Sequence, residues 1–163
     1  MRLALLAAAA ALAVGTLPPA AMAATATGNF QVLLTINAEC RLISATDLDF
    51  GTTGVIQTPL TATSNIVIQC TATTPYDVGI DAGLGAGATI ASRKMTGPGG
   101  TVDYTLYQEA ARTNLWGNTI GTDTVASTGT GSPQTFTVYG YVPAQATPAP
   151  GSYIDTVLVT VTY

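Results

Sequence analysis

The chain has 163 residues, 47% of them hydrophobic and 9% charged, with a net charge of −4 and a mean hydropathy of +0.38. It contains no histidine, which removes the usual general base near neutral pH and the commonest metal ligand. Its five basic residues leave no electrostatic footprint for nucleic acid, and the length suggests one domain.

Residues 1–23 read as a signal peptide. Met1-Arg2 supplies a positive start, Leu3 to Val14 is an unbroken apolar run, Pro18 and Pro19 break any helix, and Ala21-Met22-Ala23 gives a small-x-small cleavage pattern. The run is shorter than the ~18 residues needed to span a bilayer, so export is expected rather than anchoring. In an oxidising compartment the two cysteines, Cys40 and Cys70, read as a disulfide. It would close a loop of about 30 residues, worth roughly 3–4 kcal/mol in the chain-entropy description.

Strand signals dominate the chain beyond residue 23. Phe30, Val32, Leu34 and Ile36 alternate with Gln31, Leu33 and Thr35 at period two. Runs at 66–70, 76–80, 102–107 and 136–142 are short and β-rich, and Pro143 ends the last of these. From Tyr153 to Tyr163, Val157, Val159, Val161 and Tyr163 share one face. Residues 83–88, 96–100, 117–132 and 144–151 read as Gly/Pro/Thr/Asn loops, and Gln108 to Arg112 has the makings of a single helical turn. Short strands with frequent turns indicate an all-β fold, an antiparallel β-sandwich.

Candidate chemistry is sparse. Gly83-Leu84-Gly85-Ala86-Gly87-Ala88 fits the dinucleotide-binding spacing, but a helix and a parallel βαβ unit are needed for it to hold phosphate, so a plain loop is expected. Asp47 with Asp49 and Asp77 with Asp81 are pairs without a cleft between them, and they read as solvated carboxylates rather than a glycosidase or calcium site. Lys94 has no serine at Ser-x-x-Lys spacing, and Trp116 either offers a sugar platform or covers one end of the core. No enzyme, metal or cofactor is indicated.

The two ends of the exported chain carry the functional signal. A last strand with nothing beside it leaves a sheet edge and part of the core exposed, which strand addition from another chain can cover. The alternating segment at 24–37 suits a donor, but pattern alone allows equally that 30–36 is the first strand of its own domain.

A run of local motifs separates these readings. Cys40, Phe50-Gly51, Cys70-Thr71, Thr74-Pro75-Tyr76, Asp81-Ala82-Gly83, Arg93-Lys94-Met95, Tyr104-Thr105-Leu106-Tyr107, Trp116-Gly117, Tyr139-Gly140-Tyr141-Val142-Pro143 and Gly151 to Val157 occur in this order. Together they resemble the spore coat protein U domain family, which includes the Csu-type subunits of archaic chaperone–usher pili. Tyr141 departs from the arginine or other polar residue of many members.

The resemblance implies an incomplete immunoglobulin-like β-sandwich over 38–163, completed by donor-strand addition. It implies a structural pilus subunit supporting adhesion and biofilm formation. Its partners would be a periplasmic chaperone, an outer-membrane usher and other pilus subunits, copies or relatives, with passage through the periplasm to the cell surface. Phe30, Val32, Leu34 and Ile36 would be donor side chains, and Val157, Val159 and Val161 would border the acceptor groove. The competing reading is a self-contained exported coat or carbohydrate-binding sandwich.

Overall fold

The computed structural model describes residues 21–163, and most of the expected signal peptide lies outside that range. Thr35–Tyr163 form one compact unit, and the described residues up to Leu34 fall outside it. Among the described residues there is no helix. The described residues contain eight strands: β1 (Cys40–Ala45), β2 (Leu60–Cys70), β3 (Pro75–Ile80), β4 (Arg93–Gly97), β5 (Gly100–Tyr107), β6 (Val125–Thr128), β7 (Gln134–Val142) and β8 (Val159–Thr162). They build two sheets, β1-β2-β7-β5-β4 and β6-β3-β8, and every strand pairing is antiparallel.

The alternating apolar positions explain which faces meet. Ile66, Ile68 and Cys70 on β2, Val102, Tyr104 and Leu106 on β5, and Val138 and Val142 on β7 turn inward from the larger sheet. Tyr76, Val78 and Ile80 on β3 meet them from the smaller one. Each such side chain removed from water contributes about 1.5–3 kcal/mol. Cys40 and Cys70 stand opposite each other on β1 and β2 with Cα atoms 4.0 Å apart, and a disulfide joins them.

Several elements differ from the sequence-based expectation. The first strand begins at Cys40, and residues 30–36 lie in no strand. β1, β4 and β6 carry weak apolar signals: β1 is an edge with an exposed outer face, β4 turns a buried arginine inward, and β6 interrupts a segment expected to be loop throughout. The expected strand 153–163 has ladder pairing only over Val159–Thr162. Its in-out alternation of exposure nevertheless persists from Tyr153 onward, so the stretch before β8 is extended chain whose only bridge, among the described residues, is the isolated one from Ile154 to Thr96. Gln108 to Arg112 makes a hydrogen-bonded turn, with Arg112 N–H donating to the Glu109 carbonyl.

Candidate functional site

A long groove opens into the sandwich where β8 ends the smaller sheet and β1 ends the larger. One wall is the segment 45–50 that leaves β1, and the other is the extended chain 153–159. Core side chains Ile66, Ile80, Tyr104, Leu106 and Val138 form the floor, so the groove reaches the hydrophobic interior. This part encloses about 640 Å³. A second cavity of about 760 Å³ lies beside it between residues 48–56 and 147–154, over Leu60, Val102 and Val142. Leu48, Phe50, Met95, Tyr153 and Ile154 line both, so the two cavities adjoin.

Local packing sets the first wall. Leu48 and Phe50 lean across β7 at Gly140, where a Cβ would run into both side chains. That close approach gives the glycine its place inside a strand. Phe50 also meets the Tyr104 ring edge-on, with centroids 6.5 Å apart.

The second wall is an unfilled sheet edge. β8 pairs with β3 on one side only. Before it, the backbone bonds of 153–158 are those between Ile154 and Thr96 and one from Asp81 N–H to the Leu158 carbonyl. Among the described residues, no backbone group pairs with the N–H or C=O of Asp155 or Val157. An edge of this kind is a template for another strand.

Of the proposed border residues, Val157 and Val159 line the groove. Val161 lies one step farther along β8, pairs with Val78 and packs against the core. The proposed donor side chains are exposed, Phe30 at 88%, Val32 at 85%, Leu34 at 86% and Ile36 at 75%. Sequence reasoning missed the groove's floor and its other wall. The floor residues read as ordinary strand interior, and the available signal for the wall was the Leu48-x-Phe50 apolar pair after β1.

The remaining candidates have structural roles. Trp116 is buried, and its indole N–H donates to the Val78 carbonyl at 2.9 Å, so it presents no face to a sugar. Asp49 accepts from Gly51 N–H and Asp77 from the Thr124 hydroxyl, while Asp47 is exposed. Asp81, expected to be solvated, is half-buried and bonded to two backbone N–H groups. The segment 83–88 leads to no helix, and Gly83 takes a left-handed φ of 81°. Lys94 pairs with Asp103 at 2.7 Å. Glu109 is held below the usual carboxylate range by hydrogen bonds from Thr113 and Asn114, and it fastens the loop after β5. Among the described residues no group of three His, Cys, Asp or Glu side chains is placed to hold a metal ion.

Arg93 is the largest polar group inside the sandwich and is fully buried. Its guanidinium donates to the carbonyls of Asp81 (2.8 Å), Ile90 (3.1 Å), Ile80 (3.1 Å) and Trp116 (2.6 Å). Burial lowers its pKa from the ordinary arginine value. Tyr104, its cross-strand partner, donates its hydroxyl to Asp155 at 2.7 Å.

The pattern described as Spore Coat Protein U domain matches residues 26–160. The chain belongs to this family. A curated relative, Protein U of Myxococcus xanthus, is 32% identical over 158 residues, covering 88% of each chain. Among solved structures, this spore coat protein U domain resembles a chain of the CsuC–CsuE chaperone–tip adhesion subunit pre-assembly complex from the archaic chaperone–usher Csu pili of Acinetobacter baumannii. The TM-score is 0.59 at 24% identity, over 79% of the spore coat U chain and 40% of that one, a likeness of fold.

Proposed function

We propose that this protein is a structural, non-enzymatic subunit of a surface fibre, built by the chaperone–usher route through donor-strand complementation. The observation that carries this reading is the groove, which has core residues for a floor and an unpaired strand edge for a wall. A fold whose interior stays open along a free edge calls for a strand from elsewhere. The segment 24–37 has the matching pattern: a row of exposed apolar side chains at period two and no charged residue.

In this reading the groove is covered first by a periplasmic chaperone and then, at an outer-membrane usher, by residues 24–37 of the next subunit. Phe30, Val32, Leu34 and Ile36 enter the groove beside Val157 and Val159. Four such side chains, at about 1.5–3 kcal/mol each, together with a row of main-chain bonds, give a joint that parts slowly. The chaperone–subunit complex of the Csu pili, the family membership and the signal-peptide pattern of residues 1–23 support the assignment. The fibre would serve adhesion and biofilm formation.

Deleting residues 24–37, or changing Phe30→Asp, tests it. The expected result is loss of subunit ladders in unheated gels and of fibres in negative-stain images of sheared surface material. Ladders and fibres of unchanged abundance would overturn the reading.

A further inference from the structure

The groove wall 153–158 is extended although it has almost no ladder, and side chains supply what the backbone lacks. Asp81 Oδ1 accepts from Leu158 N–H and from Gly83 N–H, each at 2.9 Å. Asp155 Oδ1 accepts from Leu84 N–H at 2.8 Å and from Thr156 N–H at 2.9 Å, and its Oδ2 takes the Tyr104 hydroxyl at 2.7 Å. Gly83 lies so close to the Asp155 carboxylate that a Cβ there would collide with it.

Both aspartates are reached from the opposite sheet. Arg93 on β4 fixes the backbone of Ile80 and Asp81 at the end of β3. Tyr104, directly across from it on β5, fixes Asp155. Two neighbouring side chains of the larger sheet thus hold the Asp155 carboxylate directly and the backbone that carries the Asp81 carboxylate. Tyr153 and Val157 pack against the core from the inner face of this wall, while Leu84, Ile154 and Leu158 are exposed, so on the outer side the polar contacts hold it.

We propose that Tyr104, Asp155 and Asp81 are positioning residues for strand uptake: they preset the wall 153–158 in the extended geometry an incoming strand pairs with. The inference rests on the strand-acceptor reading of the groove. Ordering an extended edge at the moment of docking costs backbone entropy, and a wall held straight beforehand has met that cost already. Without the clamp, only a fraction of molecules present a competent edge, and apparent association falls by that fraction. Once a strand is docked, its own ladder keeps the wall extended, so dissociation changes little.

The test uses the purified full chain and a dye-labelled synthetic peptide of residues 24–37. In Tyr104→Phe and in Asp155→Asn, amide hydrogen exchange over 154–158 should quicken about tenfold, the equivalent of one lost charge-assisted hydrogen bond. Peptide association should slow about tenfold, with dissociation within about twofold of the unaltered chain. Thr124→Ala removes a 2.7 Å bond to Asp77 on β3, away from the groove, and should leave uptake unchanged. Uptake by the unaltered chain with equal association in both groove variants, or equal slowing in Thr124→Ala, overturns the clamp. Failure of the unaltered chain to take up peptide overturns the strand-acceptor reading itself.

Discussion

Arg93 and Tyr104 stand opposite each other on β4 and β5, and between them they tie the larger sheet to the smaller one through polar contacts inside an apolar sandwich. Arg93 directs its donors to backbone carbonyls, and Tyr104 directs its hydroxyl to a carboxylate. Buried polar groups are costly to leave unpaired, so each of these contacts matters more to the fold than an equivalent one in water.

Arg93→Ala leaves the carbonyls of Ile80, Asp81, Ile90 and Trp116 without their donors. The expected loss is roughly 3–5 kcal/mol in urea unfolding, because several buried acceptors go unsatisfied together. Arg93→Lys should fall between the alanine variant and the unaltered chain, since one ammonium cannot reproduce the planar fork. A change within about 1 kcal/mol for the alanine variant would count against this role.

Tyr104 is pushed well above the ordinary phenol value, first by burial and then by its bond to Asp155. The folded state therefore keeps the proton. Stability from this group is whole below a pH of about 10, where a free tyrosine begins to ionise, and declines as pH rises further, since only the unfolded chain can release the proton. Tyr104→Phe should flatten that alkaline decline in urea midpoints. It should also leave the ultraviolet phenolate titration up to a pH of about 11 unchanged, and a smaller amplitude in the variant would contradict a raised Tyr104.

Trp116 is the chain's single tryptophan, and it is buried. Its fluorescence should be blue-shifted and resistant to iodide quenching. Trp116→Phe loses the bond to Val78 and some volume, at a cost of roughly 1–3 kcal/mol. Red-shifted, readily quenched emission would restore a surface role for this ring.

Much of the fold was legible where a strand buries one continuous apolar face. The runs at 66–70, 76–80, 102–107 and 136–142 announce β2, β3, β5 and β7 because inward positions must be apolar at period two. Strands with little apolar content stayed hidden: β4 contributes Arg93 and Met95, and β6 only Val125 and Ala126. Half of the groove was visible as the valines at 157 and 159. Its floor was not, since Ile66 or Leu106 on an open groove has the same local pattern as in a closed core.

The sequence by itself determined the cysteine pair, the all-β class and, by its motif order, the family. Each of these depends on composition or on neighbours along the chain. Which strand edge stays unpaired, and which polar side chains hold it, belonged to the tertiary structure. Asp155 meets Tyr104 across 51 residues, and Asp81 meets Leu158 across 77. Such contacts depend on how two sheets are brought face to face, and period-two patterning carries no record of that.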